Sequence, residues 1–254
     1  MFSIDMNSDL GESFGMYKLG MDEEVLKHIT SANIACGFHA GDPLIMDKTI
    51  ALALENGVAL GAHPSYPDFM GFGRRKMDIT PAEAKNYIIY QVGALAAFAH
   101  AHGAKLQHVK AHGALYNVAA KDLTLAKAIC EGVAAVDPNL CIFGLAGSQW
   151  ITAGKETGVK VLSEIFGDRA YMDDGSLVPR SQPGAVLHDK DIAIKRAIEM
   201  IKTHKVTSIN GKEVDIEPDS ICVHGDNPSA VAFVQEMRTA FENAGITVKN
   251  FCSK

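Results

Sequence analysis

Short apolar runs alternate with longer amphipathic stretches from one end of the chain to the other. Such apolar runs are typical of buried strands, and they occupy 2–7, 32–36, 57–62, 105–110, 140–145, 159–163 and 220–224. Stretches of helical period lie near 43–56, 81–102, 122–135, 189–203 and 228–244. This alternation predicts an α/β fold with a mostly parallel sheet, either closed as a β/α barrel or open and doubly wound.

Local sequence signals predict two features in more detail, a helix start and a hairpin. Thr80 and Glu83 have the spacing of a capping box, which predicts a helix that begins directly after Thr80. Asn210-Gly211 lies between two alternating runs within 208–216, which predicts a tight β-hairpin.

The chain shows no repeat, low-complexity tract or Pro/Gly/Ser-rich linker that would divide it. We therefore expect residues 1–254 to form a single barrel-sized domain. Two long loops, 64–80 and 164–188, remain between the predicted elements. Loops of that length in a compact domain are usually functional.

The composition is that of a globular protein, since 47% of the 254 residues are apolar and 21% are charged. A formal net charge of −6 without a run of Lys and Arg argues against nucleic acid or an anionic membrane surface as the main partner. The five cysteines form no C-x-x-C pair, which predicts reduced thiols.

The N-terminal segment MFSIDMNSD does not resemble a secretory signal, because it lacks a basic region and Asp5 and Asp9 interrupt its apolar positions. The apolar stretch from Gly93 to Ala101 is about half as long as a membrane-spanning helix. We therefore expect a cytoplasmic protein.

Polar side chains, most of them titratable, follow most of the predicted strands. Because parallel strands bring their carboxyl ends to one side of a sheet, we expect these side chains to converge on a single face. The candidates are Asn7, Asp9, Glu12, His39, Asp42, His63, Arg74, Arg75, Lys110, His112, Tyr116, Glu164, Arg169, His224 and Asp226.

Four histidines, His39, His63, His112 and His224, hold equivalent positions after strands. A neutral histidine oriented by a carboxylate suits general acid–base catalysis near pH 7, which is the interpretation we favour. A metal ion, if one is bound, would use Asp9, His39, His63 and His112. No H-E-x-x-H helix fixes two ligands locally, so the metal signal is weak.

Other candidates have two interpretations each. Arg74 and Arg75 suit capture of a carboxylate or phosphate but also suit a solvated surface pair. Asp168 and Arg169 could form an internal ion pair that positions their loop. Cys36 near a histidine is a minor candidate nucleophile. The sequence contains no P-loop and no dinucleotide-binding glycine motif.

Several long segments resemble the LamB/YcsF family, and they occur in one order: SDLGESFG, SANIACGFHAGDP, GAHPSYPDFMGFGRR, KAHGALYN, FGDRAY with DGSLVPR, and CVHGDNP. The resemblance extends from about residue 3 to residue 250. Ala111 stands where the family usually has Pro, and Gly167 where it usually has Ala. Both are small residues, so these departures leave the assignment intact.

The resemblance implies an irregular TIM-like (β/α)7 barrel of the glycoside hydrolase/deacetylase type. It also implies the A subunit of an ATP-dependent 5-oxoprolinase, which opens the lactam of 5-oxo-L-proline to L-glutamate together with subunits B and C. ATP would then be bound in a shared site or by the partners. The resemblance leaves open whether the protein binds a divalent metal and whether it forms a homo-oligomer.

Fitted to that reaction, the candidates divide into two groups. Asp9, Glu12, His39, His63 and His112 would be catalytic, with histidines acting on water or on the lactam nitrogen. The substrate-binding group would be Asn7, Asp42, Arg74, Arg75, Lys110, Tyr116, Glu164, Arg169, His224 and Asp226. Two rivals stay open: a metal-dependent amidase or deacetylase that acts alone, and a non-catalytic subunit that presents the ligand to partner enzymes.

Overall fold

The strands form a closed barrel in the computed structural model, which describes residues 1–179, 182–187, 189–225 and 227–251. In chain order they are β1 (Phe2–Leu10), β2 (Ser31–Ala35), β3 (Ala59–His63), β4 (His108–Val109), β5 (Cys141–Leu145), β6 (Val161–Phe166), β7 (Lys205–Thr207), β8 (Glu213–Asp215), β9 (Ser220–Val223) and β10 (Ile246–Val248). The ring runs β1-β2-β3-β4-β5-β6-β9 and closes through β9 and β1, with parallel pairing throughout. The predicted (β/α)7 barrel is confirmed, and the open doubly wound sheet is excluded.

The long strand β1 closes the ring. Its residues 5–8 pair with β9, and its residues 7–10 pair with β2. Its first residues pair with β10, which extends the sheet outside the ring. Because all ring strands are parallel, their carboxyl ends open at one mouth of the barrel, where the end of β1 carries Asp9.

The helices cover the outside of the barrel: α1 (Asp22–Val25), α2 (Pro43–Glu55), α3 (Pro81–Ala101), α4 (Gly113–Ala119), α5 (Leu123–Val136), α6 (Gln149–Thr157), α7 (Lys190–Thr203) and α8 (Pro228–Asn243). The five predicted helices are α2, α3, α5, α7 and α8. The pattern missed α1, α4 and α6, because short helices offer too few turns for a periodic signal. Within the described ranges, no helix has both the length and the apolar character needed to cross a bilayer.

The predicted capping box at the start of α3 is confirmed. The Thr80 hydroxyl accepts a hydrogen bond from the Glu83 N–H, and the Glu83 carboxylate accepts one from the Thr80 N–H. These two bonds satisfy amide donors that a helix start otherwise leaves without partners.

The predicted hairpin is also present, as the antiparallel pair β7 and β8. Its strands flank residues 208–212, and the Ser208 N–H donates to the Lys212 carbonyl across the turn. The connection is longer than the two-residue turn that Asn210-Gly211 predicted, because the Ser208 hydroxyl also accepts the amides of Asn210 and Lys212.

The prediction of reduced thiols needs one correction. Cys36, Cys130 and Cys222 are buried free thiols, but Cys141 is disulfide-bonded. Sequence spacing did not reveal this bond, because disulfide formation depends on the distance between β-carbons that the fold brings together.

One layer of the barrel interior requires a glycine. Register aligns Asn33 of β2 with Gly61 of β3, and Gly61 with His108 of β4. The His108 side chain reaches across β3, and its Nε2 lies 2.9 Å from Asn33 Oδ1. A β-carbon on Gly61 would collide with the His108 ring, so the absence of a side chain permits this crossing.

We expect Gly61→Ala to lower the free energy of unfolding by about 1–3 kcal/mol, the typical cost of overpacking a core. Gly93→Ala is the matched control, because a β-carbon on Gly93, within α3, meets nothing within 4 Å. This control should be neutral or should stabilise the protein by about 0.5–1 kcal/mol. Urea denaturation of both variants tests the prediction, and equal stabilities would contradict it.

Candidate active site

Glu12 and three histidines meet at the mouth of the barrel. Glu12 follows β1, His39 lies after β2, His63 ends β3, and His112 precedes α4. Glu12 Oε1 lies 3.0 Å from His39 Nε2 and 3.3 Å from His112 Nδ1. It lies 4.0 Å from His63 Nε2. The imidazoles are buried and Glu12 is partly exposed, so the group, here called the His cluster, has an open side.

Asp9 joins the His cluster from β1. Its Oδ2 lies 3.3 Å from His63 Nε2. Burial alone would raise the pKa of Asp9, but the charges of His63 and Lys110 hold this pKa well below its usual value. Burial alone would lower the pKa of His63, but the Asp9 carboxylate raises it above its usual value. Asp9 is therefore ionised, and His63 is a good proton acceptor.

Backbone carbonyls orient two of the imidazoles. His63 Nδ1 donates to the Lys110 carbonyl at 2.7 Å, and His112 Nε2 donates to the Phe72 carbonyl at 2.9 Å. A carbonyl oxygen only accepts, so these two nitrogens carry the ring protons. The other nitrogens, His63 Nε2 and His112 Nδ1, point inward and lie 2.9 Å apart.

His39 stacks on His112, with ring centroids 3.8 Å apart and planes inclined by 9°. Burial, together with the neighbouring histidines, holds the pKa of both rings well below the usual value. Both imidazoles are therefore neutral near pH 7 and can act as bases or as metal ligands.

The long loop 64–80 supports this arrangement. Phe72 has a φ of 53°, an unusual conformation for a residue with a side chain, and its carbonyl holds His112. The next residue, Gly73, has a φ of 62°, and a β-carbon there would lie 2.8 Å from His112 and 3.0 Å from His39. The loop can approach the His112 ring and the His39 β-carbon only because this residue is glycine.

Lys110 connects the His cluster to a second group of buried polar side chains. Its Nζ lies 3.1 Å from Asn7 Oδ1 and 3.1 Å from Asp9 Oδ1. It also lies 2.9 Å from Glu164 Oε1 and 3.0 Å from Cys222 Sγ. Burial alone would lower the pKa of Lys110, but the neighbouring carboxylates raise this pKa well above its usual value. The ammonium therefore stays charged.

Two further candidates, Tyr116 and His224, lie beside these groups. Tyr116 is buried beside Glu164, and burial together with that carboxylate raises the pKa of the phenol well above its usual value. His224 Nδ1 lies 3.7 Å from Asp168 Oδ2, and its ring also approaches Asp9 and Cys222. Asp226 lies outside the described residues.

Comparison with known proteins identifies the family to which the chain belongs. The sequence profile of the LamB/YcsF family matches residues 4–254. The chain belongs to the LamB/YcsF family.

Relatives within this family agree over nearly the whole chain. The A subunit of 5-oxoprolinase from Campylobacter jejuni subsp. jejuni is 59% identical over 248 residues, which are 98% of this chain and 97% of that protein. The protein of the same name from Clostridium beijerinckii is 56% identical over 248 residues, with the same coverage. The crystal structure of the lactam utilization protein from Thermus thermophilus is 42% identical, covers 98% of this chain and all of that one, and gives a TM-score of 0.93.

In this LamB/YcsF chain, three residues predicted to bind substrate make internal contacts, and their role in substrate binding stays a prediction. Arg75 forms an ion pair with Asp68. Asp42 caps α2 through the amides of Leu44 and Ile45, and also accepts the Gly15 amide. Arg169 donates to the carbonyls of residues 178 and 185. Sequence alone did not distinguish these roles, because each depends on which backbone groups the loops bring near.

Arg74 remains at the rim of the site. Its side chain is exposed, and its guanidinium carbon lies 5.1 Å from the centre of the Phe72 ring. Phe72 in turn contacts His39 and His112, with ring centroids 5.5 Å and 5.2 Å away. Arg74 therefore presents a cation beside the His cluster, where an anionic group of a ligand could bind.

Cys36 is a poor nucleophile in this structure. Its side chain is buried, and its Sγ donates to the Ile34 carbonyl. Burial raises the pKa of the Cys36 thiol to about 12, so the reactive thiolate does not form near pH 7.

Sequence reasoning missed Asn33, His108 and Cys222. Asn33 Nδ2 donates to Asn7 Oδ1 and Asp9 Oδ1, and His108 holds the Asn33 oxygen. The available signal was a polar residue inside an otherwise apolar strand, since such a side chain must find partners in the interior of the barrel.

Proposed function

We propose that this LamB/YcsF chain is the A subunit of a 5-oxoprolinase and that it opens the lactam of 5-oxo-L-proline to L-glutamate. The main support is its near-full-length identity to proteins named as the A subunit of 5-oxoprolinase. The His cluster carries the chemical part of the proposal, because it places buried bases and a partly exposed carboxylate together at the mouth of the barrel.

Hydrolysis of a lactam requires an activated water and a proton for the leaving nitrogen. Glu12 faces His39 and His112 and reaches the open side of the His cluster, so it can orient and deprotonate a water. His63, whose pKa the Asp9 carboxylate raises against the effect of burial, holds a proton that can be passed to the ring nitrogen. Asp9 would keep that proton in place.

The carboxylate of 5-oxoproline needs a cationic partner. We assign this role to Arg74, the exposed cation beside the His cluster. Arg75 and Lys110 are less suitable, because internal carboxylates already bind both of them. The oxygen and nitrogen of the lactam would then lie toward the histidines.

ATP would enter the reaction through partner subunits B and C. An amide is a poor electrophile, and phosphorylation of its oxygen would activate the ring carbon toward water. We therefore assign ATP binding to the partners or to a site shared with them, and we place the enzyme in the cytoplasm.

Glutamate release from 5-oxoproline by the purified chain tests this function, with and without ATP and with and without subunits B and C. We expect activity only when the chain, both partners and ATP are all present. A reconstituted complex that works equally well without this chain would overturn the proposal.

A second function is favoured by one observation, namely that the His cluster has the residue types of a metal site. A metal-dependent amidase acting alone would hydrolyse 5-oxoproline or a related amide without ATP or partners. A chelator would abolish its activity, and this outcome of the same assay would replace the first proposal.

A further inference from the structure

Two neighbouring loops at the mouth of the barrel expose large apolar side chains that the proposed reaction does not use. One loop, residues 13–20, follows β1, and the other is the loop 64–80. Their exposed fractions reach 88% for Met70 and 97% for Met16. Together with an exposed leucine at the start of α2 they form a group, here called the rim patch: Phe14, Met16, Tyr17, Leu19, Leu44, Phe69 and Met70. Exposed apolar groups of this extent usually mark a site of interaction.

The loop 13–20 is folded on itself. Phe14 and Tyr17 exchange two backbone hydrogen bonds, at 3.0 Å and 2.8 Å. The Ser13 hydroxyl accepts the Leu19 amide at 3.0 Å and lies 3.2 Å from the Leu19 carbonyl oxygen. These bonds hold the apolar side chains outward without the support of a core.

Further contacts join the parts of the rim patch. The rings of Phe14 and Phe69 lie 4.4 Å apart, which connects the two loops. The Asp42 carboxylate accepts the amides of Gly15 and Leu44 at 2.7 Å and 2.8 Å, which connects the first loop to α2. The rim patch is therefore formed in advance, and binding to it costs little ordering entropy.

The rim patch borders the His cluster. Glu12 stands two residues before Phe14 in the chain. Phe72, two residues after Met70, has its ring centroid 5.2 Å from that of His112. A protein bound to the rim patch would therefore lie beside the open side of the His cluster.

The charges of the two loops are all positive. Residues 13–20 and 69–77 contain Lys18, Arg74, Arg75 and Lys76 and no acidic residue, although the whole chain has a net charge of −6. Arg75 pairs with Asp68, and Arg74 is assigned above to the substrate. Lys18 and Lys76 are exposed, so they can meet acidic side chains of a partner.

These features favour one occupant over two others. A symmetric contact between two copies would bring the same surface together and place Lys18 and Lys76 opposite like charges. Neither a second copy nor a membrane surface supplies ATP, because the chain contains no P-loop. A partner that carries ATP must reach the mouth, since a phosphoryl group passes to a lactam oxygen only when the two are in contact.

We propose that the rim patch binds the subunit of 5-oxoprolinase that carries ATP, through an apolar surface of that subunit bordered by acidic side chains. The residue types agree with this role, because phenylalanine, tyrosine, methionine and arginine are enriched in protein interfaces. The identity of the partner rests on the proposed function, whereas the position of the contact rests on the rim patch.

Binding of the full-length chain to the complex of subunits B and C tests the proposal. We expect Met16→Asp and Met70→Asp each to raise the dissociation constant by about 30-fold or more, the loss typical of a central interface residue. Ile192→Asp is the matched control, because Ile192 is 55% exposed on α7, outside the rim patch. The control should bind like the unaltered chain, and circular dichroism should show that all variants are folded.

A charge reversal tests the complementarity. Lys18→Glu should slow association with subunits B and C about tenfold at low salt, and the difference should shrink at high salt because ions screen exposed charges. Lys195→Glu is the control, since Lys195 is exposed on α7. Its association rate should stay within about twofold of the unaltered rate.

Unchanged affinity in both methionine variants would overturn the proposal. So would unchanged partner binding together with loss of self-association, or with loss of binding to vesicles of phosphatidylcholine and phosphatidylglycerol, because the patch would then serve a second copy or a membrane. Glutamate release reports on the proposed function separately. Release by a complex whose methionine variants bind normally would preserve the function and exclude this docking site, and binding through the rim patch without release would do the reverse.

Discussion

Glu12→Gln should lower the turnover of the proposed 5-oxoprolinase complex by about 10²–10⁴-fold, the usual contribution of a positioned general acid or base. Glu12 Oε1 faces the nitrogens of His39 and His112 at 3.0 Å and 3.3 Å, and its side chain is 17% exposed. Glutamine keeps the shape but removes the negative charge and the ability to accept a proton from water. The measurement is the steady-state kcat for glutamate release in the presence of ATP and both partner subunits.

Glu23→Gln is the control for this experiment. Glu23 is 60% exposed and pairs with Lys48, so its loss should leave turnover within about twofold. Circular dichroism and assembly with the partners should be unchanged for both variants. If the Glu12 variant kept normal turnover, Glu12 would have no catalytic role, and a subunit that only presents the ligand would become the better interpretation.

Lys110→Met should lower the free energy of unfolding by about 3–5 kcal/mol, the cost of removing one partner from a buried ion pair. Lys110 and Glu164 are almost fully buried, with side-chain exposures of 4% and 0%. Methionine fills much of the same volume but leaves the carboxylates of Asp9 and Glu164 without their ammonium partner. Denaturant unfolding at pH 7 measures the loss.

The matched control is Lys127→Met, because Lys127 is 39% exposed and pairs with Glu156 at the surface. This change should cost at most about 1 kcal/mol. Adding Glu164→Gln to Lys110→Met should recover about 1–3 kcal/mol, since it removes one of the two unpaired charges. A loss below about 1 kcal/mol for Lys110→Met, or no recovery in the double variant, would contradict the prediction.

The positions of the ring strands and long helices could be predicted from sequence, because each has a strong local signal. The run at 220–224 is an example: its apolar residues became β9, which closes the barrel. Thr80 and Glu83 likewise form a cap whose partners are three residues apart. Signals of this kind need no knowledge of the rest of the fold.

Convergence of the histidines could also be predicted, because it follows from parallel topology. His39, His63 and His112 follow three successive strands of the ring, and the carboxyl ends of these strands share one mouth. His224 follows β9 and lies beside Asp168 and Asp9 rather than within the His cluster.

The role of each charged residue could not be predicted in the same way. Arg74 and Arg75 are adjacent in sequence and both exposed, yet one lies over Phe72 and the other binds Asp68. Lys110 was expected to bind a substrate, and its ammonium contacts Asn7 and the internal carboxylates of Asp9 and Glu164. These differences depend on loop geometry that neighbouring residues do not encode.

By itself the sequence determined the family, the seven strands of the ring and the side of the sheet that carries the polar residues. All three depend on local periodicity and on motif order, which are read along the chain. Only the tertiary structure decided that Glu12 rather than Asp9 is central to the His cluster, and that the inward nitrogens of His63 and His112 lie 2.9 Å apart. The reason is that ring orientation is set by the Lys110 and Phe72 carbonyls, and these come close to the two rings only after the barrel has closed.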